Sequence, residues 1–328
     1  MRIPFRTTAA AFVLSAALCL GACANAAPQE QVQNQTQEMA QTQEKGSDEA
    51  SNSASAESQT IGLESVGNAR QLGGYIGADG RAVRDGVLLR TASLAEASEA
   101  DIERLKNTYH LAEVIDLRMS SEVASAPDPQ IDGVKNLNLR IIDEEELAKR
   151  RAELSAEGTE STDANDKMGQ LKLAFKLGIV GDQMYVNFLA SKTGKEGYAK
   201  MFEELLALPE DKALLFHCTQ GKDRTGCAAV LILSALGVDE DTIMADFQLT
   251  NVFNAERIEG ERKKLTEAGM EGEELESYLC AMDQVDPQYM TNALDWIKEN
   301  YGSVKGYLTE ELGVSEDELA QLQKKFLI

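Results

Sequence analysis

Residues 214–227 read LLFHCTQGKDRTGC. An apolar run ends in His217, one of only two histidines in the chain, and Cys218; Arg224 follows six positions later, with Gly221, Lys222 and Asp223 between them. A short apolar run, a glycine-containing loop and then helical periodicity over 226–236 predict strand, loop and helix in that order. A loop joining a strand end to a helix N-terminus offers unpaired backbone N–H groups, and the helix dipole adds roughly half a positive charge. The stretch is therefore read as an anion cradle that carries its own nucleophile. Cysteine reacts as the thiolate, a form favoured by a helix N-terminus and by cations such as Arg224 and Lys222. The planar fork of Arg224 can bind two oxygens of a phosphate at once, whereas a lysine acts only as a point charge.

Outward from this loop, apolar runs at 87–90, 112–117, 137–142 and 213–217 read as strands. They alternate with helical patterns at 99–109, 185–208 and 226–236. Such alternation predicts an α/β fold with a mainly parallel central sheet flanked by helices, in which ligands bind where the C-terminal strand ends meet the following helices. Amphipathic stretches at 255–268, 271–282, 287–301 and 315–326 predict additional C-terminal helices packed over the sheet. Residues 143–166, rich in Glu, Ala, Ser and Asp, read as a mobile helical insertion.

The chain has 328 residues, 43% of them hydrophobic, which suffices for one large core. Its formal charge of −23 excludes a broad basic surface for nucleic acid, so an anionic substrate has to be held by a local cluster of donors. Arg2 and Arg6 precede an apolar stretch at 9–20 that is too short for a permanent membrane span, which marks residues 1–23 as a secretory signal. The run Leu20-Gly21-Ala22-Cys23 resembles a bacterial lipobox with Cys23 as the lipidated residue; ordinary cleavage after Ala26 is the alternative. Residues 24–60 are polar and without aromatics, so they read as a disordered tether, and 61–328 form the catalytic domain. The protein is thus expected to be exported, either anchored to the bacterial cell membrane by lipid or secreted. Beyond Cys19 and Cys23, the cysteines are Cys218, Cys227 and Cys280, an odd set that argues against a disulfide framework.

Residues 217–226, HCTQGKDRTG, resemble the H-C-x-x-G-K-D-R-T-G loop of the cysteine-dependent protein tyrosine phosphatase superfamily, and within it a bacterial family acting on phosphotyrosine, phosphoserine/threonine or phosphoinositides. Further similarity lies in Asn68-Ala69-Arg70-Gln71-Leu72-Gly73-Gly74, in Arg90, in Ile115-Asp116-Leu117-Arg118 with Glu122, in the segment 246–251, and in Tyr301-Gly302-Ser303 with Tyr307-Leu308. One position departs: Gln71 stands where the family pattern has an acid, which puts in doubt a tether to the loop arginines. The resemblance implies a phosphomonoesterase without metal or cofactor, in which Cys218 forms a phosphocysteine intermediate. It implies that Thr219, Gln220, Gly221, Lys222, Asp223 and Arg224 hold the phosphate and that Asp223 is the general acid. It further implies that Thr225 bonds the sulfur, that His217 braces the loop, and that Asp116 and Arg118 support the cradle through internal ion pairs. Lys222 would favour highly charged phosphates such as inositol lipids. The substrate is then a phosphotyrosine protein or, alternatively, a phosphoinositide or inositol phosphate.

Other readings compete. Asp143, after a predicted strand end, is a second candidate acid, and Asp223 could simply pair with Lys222. Cys227 could act as a resolving thiol, while Cys280 reads as packing. A nucleotide-binding G-x-x-x-x-G-K-[ST] loop is excluded, because Phe216 and Asp223 occupy positions that need Gly and Ser or Thr. A phosphate-binding module without catalysis has no need of Cys218, Asp223 and Arg224 together. A sulfur-transfer or redox enzyme is disfavoured by the lack of a dithiol pair.

Overall fold

The computed structural model describes residues 55–156 and 167–328. The expected signal segment with Cys23, and the tether up to residue 54, lie outside the described residues, as do 157–166 of the insertion. Residues 55–60, assigned to the tether from composition, are built into the body. Ala56–Gln59 forms one helical turn, α1, capped by Ser55; Gln59 is buried, and Thr60 bridges to Arg70.

Five strands form one sheet: β1 (Arg70–Gln71), β2 (Leu88–Thr91), β3 (Leu111–Asp116), β4 (Lys135–Asn138) and β5 (Ala213–His217), in the spatial order β1-β2-β5-β3-β4. All pairings are parallel except that of β1 with β2. The four expected strands are present within a few residues of their expected limits. The two-residue β1 was not expected, since Arg and Gln carry no strand signal; it exists by pairing with Arg90 and Leu89 at the sheet edge. Thr91, Asp116 and His217 stand in register at the C-terminal ends of β2, β3 and β5, which is where Cys218 leaves the sheet.

Helices cover both faces. In chain order they are α2 (Glu99–Asn107), α3 (Ser120–Ser125), α4 (Glu144–Ala156), α5 (Lys167–Leu177), α6 (Met184–Ala190), α7 (Lys192–Ala207), α8 (Asp223–Ala235), α9 (Glu240–Phe253), α10 (Ala255–Glu267), α11 (Gly272–Met282), α12 (Pro287–Tyr301) and, after short turns, α13 (Glu316–Phe326). Alternation along the strands sorts the core. Leu214 and Phe216 pack with α6, α7, α8 and α12 on one face, whereas Ala213 and Leu215 pack with Leu105 of α2 on the other. Helix α8 is buried at every residue from Arg224 to Leu233, so it is a core element and not a surface helix. The helix expected over 185–208 is two helices. Ser191 breaks it with extended backbone and caps α7 by accepting from the Gly194 N–H at 3.0 Å. Gly194 is required there, because a Cβ would lie 1.8 Å from the Phe188 carbonyl oxygen.

The central position of β5 gives its inward residues the largest packing role. Leu214→Ala, at a fully buried site, is expected to cost about 2–5 kcal/mol, read as a lowered midpoint in urea denaturation with an unchanged slope.

Candidate active site

Behind the loop 218–224 lies a buried charged network. Asp246 of α9 accepts from Arg90 Nη1 at 2.6 Å and from Arg70 Nε at 3.1 Å, and Tyr75 donates to the same carboxylate at 3.1 Å. Both arginines are fully buried. Burial and the neighbouring Arg70 push the Arg90 guanidinium down to about 10, while burial's opposing pull on Asp246 is overcome by the two arginines, which keep its carboxyl below the ordinary range. Besides a longer bond from Asn68 Nδ2 to the Gln220 carbonyl oxygen at 3.4 Å, the network reaches the loop at the Gly221 carbonyl oxygen. It accepts from Arg90 Nη2 at 3.1 Å and from Asn68 Nδ2 at 2.8 Å, and Asn68 is itself held by Arg70. Gly221 has φ +64°, and a Cβ there would sit 2.3 Å from the Thr91 carbonyl oxygen, so only glycine fits.

Among the described residues, the N–H groups of 219–222 have no protein acceptor, as an anion cradle at the N-terminus of α8 requires. Cys218 is buried at its base. Arg224 is held in a two-pronged pair by Glu122, Nη1 to Oε2 at 2.6 Å and Nη2 to Oε1 at 3.0 Å, and Thr219 Oγ1 accepts from its Nη2 at 3.3 Å. Burial alone would raise the Glu122 carboxyl; the Arg224 charge and bonds from Arg224, Thr219 and the Met119 N–H instead hold it at about 2. Glu122 was visible in the sequence as part of a motif, but its role as the arginine's anchor was not. No local signal connects a helix N-terminal Glu with an arginine a hundred residues away.

His217 is fully buried, with Nε2 2.9 Å from Asp128 Oδ2 and Nδ1 3.2 Å from the Cys218 carbonyl oxygen, the geometry of a brace. Asp116 pairs with Arg118 Nη2 at 2.7 Å, and Asp128 pairs with the same atom at 3.0 Å. Donor atoms of Asp116, Asp128 and His217 lie within 4.8 Å of one another, as a metal site would need, yet the Arg118 guanidinium already supplies the cation between the two carboxylates. Asp128 escaped the sequence reading because it sits in an irregular Pro-containing stretch, 126–131.

Lys222 departs from expectation. Its side chain is buried, and Nζ donates to the Cys280 and Gln284 carbonyl oxygens at the end of α11, the latter at 3.0 Å. The carbonyls freed at a helix C-terminus attract a cation, and this attraction turns the ammonium away from the cradle. Gln71 also lies elsewhere: its Oε1 accepts from the Gly86 N–H, and no loop arginine touches it. Thr225 Oγ1 is buried with no hydrogen-bond partner among the described residues, so the expected bond to the Cys218 sulfur is not formed. Asp143 is exposed and caps α4, accepting from the Glu145 and Glu146 N–H groups at 3.0 Å. Those bonds hold its carboxyl below the ordinary range, the wrong direction for a proton donor. Cys227 is buried, and burial pushes its thiol up, away from the reactive form.

Asp223, the first residue of α8, accepts from the Tyr185 hydroxyl through Oδ1 at 2.8 Å, and its Oδ2 is 3.5 Å from Lys222 Nζ. It borders a closed recess, too narrow for a water molecule, lined by Phe175, Met184, Cys280, Gln284, Asp286 and Tyr289. A nucleophile, an arginine clamp and a partly exposed carboxyl group thus converge at one helix N-terminus.

The family model for the tyrosine phosphatase family matches residues 61–328. An inferred tyrosine-protein phosphatase of Cupriavidus necator is 31% identical, covering 81% of this chain and 88% of that protein. A tyrosine-protein phosphatase of Nostoc commune is 29% identical over 72% of each chain. The triple specificity protein phosphatase PtpB of Mycobacterium tuberculosis is 26% identical, over 72% of this chain and 88% of its own length.

The Glu122 carboxyl, held at about 2 against an ordinary 4.5, stabilises the folded state by about 3 kcal/mol above pH 4.5, a contribution that is lost as pH falls toward 2. In urea denaturation at pH 7, 4.5 and 3, Glu122→Gln should be less stable at pH 7 and should lose less stability on acidification than the parent. An identical acid slope in both would remove Glu122 as its source.

Proposed function

The chain belongs to the tyrosine phosphatase family and is a protein-tyrosine phosphatase; from that premise we propose that it hydrolyses phosphate monoesters through a phosphocysteine on Cys218, with Asp223 as general acid and Arg224 as phosphate clamp. The observation that carries this reading is the convergence of the three side chains at the N-terminus of α8, on a loop whose 219–222 amides have no protein acceptor among the described residues.

The steps follow from the placement. The Cys218 thiolate attacks phosphorus, and the bond to the leaving oxygen breaks with its electron pair passing to that oxygen. Asp223 gives that oxygen its proton. Water then attacks the phosphocysteine, one of its protons passes to Asp223, and the S–P bond breaks to return the electron pair to sulfur. Inorganic phosphate leaves. Arg224 and the loop amides bind the oxygens whose charge is redistributed in both transition states. Glu122 fixes the plane of the guanidinium before substrate arrives, so little ordering remains to be done at the moment of reaction.

Phosphotyrosine as the preferred substrate draws its support from the family and from the names of the relatives. Activity toward phosphoserine/threonine is part of the proposal; the Mycobacterium relative is named for a triple specificity. The phosphoinositide alternative loses the support it drew from Lys222, whose ammonium is engaged at the end of α11. Export rests on the sequence of residues 1–23, with Cys23 as the lipid site. Among the described residues, no helix is long and apolar enough to cross a membrane.

Cys218→Ser is expected to abolish turnover of 4-nitrophenyl phosphate, with EDTA leaving the parent enzyme's rate unchanged; inhibition by EDTA, or activity in the variant, would overturn the thiolate mechanism. Asp223→Asn should lower kcat/KM about a hundredfold for phenyl phosphate, a poor leaving group, and about tenfold or less for 4-nitrophenyl phosphate. Equal losses on both would point to a different acid.

A further inference from the structure

Tyr185 lies outside every motif that the sequence displays, yet its hydroxyl makes the shortest side-chain bond to Asp223, donating to Oδ1 at 2.8 Å. The ring is immobilised. It stands edge-on to Phe247 at 5.7 Å and 89°, tilts against Phe188 at 6.2 Å, and is almost completely buried at the start of α6. Phe247 is fixed in turn, since its ring packs so closely on α8 that a Cβ at Gly226 would lie 3.1 Å from it. Tyr185 therefore presents one hydroxyl from a fixed point. A carboxyl that has to deliver a proton along one direction needs one oxygen held and the other free.

The second oxygen makes no hydrogen bond among the described residues; its partner is Lys222, in the expected ion pair, and that pair is long. Asp223 Oδ2 is 3.5 Å from Lys222 Nζ, beyond good hydrogen-bond length, and that ammonium already donates to the Cys280 and Gln284 carbonyl oxygens. Asp223 is partly exposed, whereas Lys222 is buried.

We propose that Tyr185 is a positioning residue for the reaction: by donating to Asp223 Oδ1 it selects Oδ2 as the oxygen that carries the proton and aims it at the leaving group. This rests on the assignment of Asp223 as the acid. In the first step Oδ2–H transfers its proton to the departing oxygen, and the carboxylate left behind keeps the Tyr185 bond on Oδ1. In the second step Oδ2 receives a proton from the attacking water. The phenol keeps its own proton throughout; burial first, and the charge of Asp223 second, push its ionisation well above the ordinary range, so it acts as a permanent donor.

The test is a cycle of Tyr185→Phe and Asp223→Asn, singly and combined, measured as kcat/KM on phenyl phosphate and 4-nitrophenyl phosphate, with thermal midpoints for each variant. Tyr185→Phe keeps the ring and its contacts while removing one hydrogen bond to a charged group. It should lower kcat/KM about tenfold for phenyl phosphate and about twofold or less for the activated ester. In the Asp223→Asn background, adding Tyr185→Phe should change neither substrate by more than about twofold. Equal loss on both substrates, or a loss that persists without the carboxyl, would mean that Tyr185 merely packs, and the inference falls while Asp223 remains the acid. If Asp223→Asn itself shows no dependence on the leaving group, the acid assignment and this inference fall together.

Discussion

The structure depends on where one carboxylate sits. Asp246 lies between two fully buried arginines, and the trio keeps an excess positive charge in a region from which water is excluded. Arg90 comes from a central strand, Arg70 from the sheet edge and Asp246 from α9, so the ion pairs join three distant parts of the chain behind the loop. Leaving one such charge unpaired costs several kcal/mol, which ties the packing of α9 to the conformation of a loop it does not form. The link is the Gly221 carbonyl, whose two donors turn it back toward the sheet and away from the cradle.

The same logic recurs closer to the chemistry. Glu122 holds Arg224, Asp128 and the Cys218 carbonyl flank His217, and Arg118 holds Asp116 and Asp128 together. Arg224, which would touch substrate, is oriented by Glu122, which would not, and the bracing groups behind the loop are themselves nearly buried. Pre-ordering of this kind keeps the entropy of arranging the site out of the catalytic step. It also explains how a chain of charge −23 can bind phosphate. The positive field is local, made of inward-facing guanidinium groups, helix N-terminus and amides, while the acidic excess is carried elsewhere.

Much of this was legible in the sequence because the loop is contiguous. Cys218, Asp223 and Arg224 lie within seven residues, and β5 and α8 on either side have strong apolar patterns. The strands at 87–90, 112–117 and 213–217 were readable for the same reason, as buried parallel strands are continuous apolar runs. What escaped reading depends on the tertiary arrangement. Tyr185 and Asp128 act on residues 38 and 89 positions away, and nothing local marks them. β1 is strand only by virtue of its neighbour. Lys222 misled because adjacency in sequence suggested adjacency in role: successive residues at a loop-to-helix junction point different ways, and the carbonyls at the end of α11 captured this one. Asp143 misled similarly, since an acid after a strand is as useful for capping a helix as for chemistry.

The tie between Lys222 and α11 has a geometric meaning of its own. The α11 terminus is fastened to the loop through a four-methylene arm, while Cys280, at that same terminus, lines the recess beside Asp223. The separation of the loop and the α11 terminus is thus gauged by the length of a single side chain, much as a spacer sets the distance between two plates. Because the tie is made to backbone carbonyls, it places no demand on which side chains α11 presents outward.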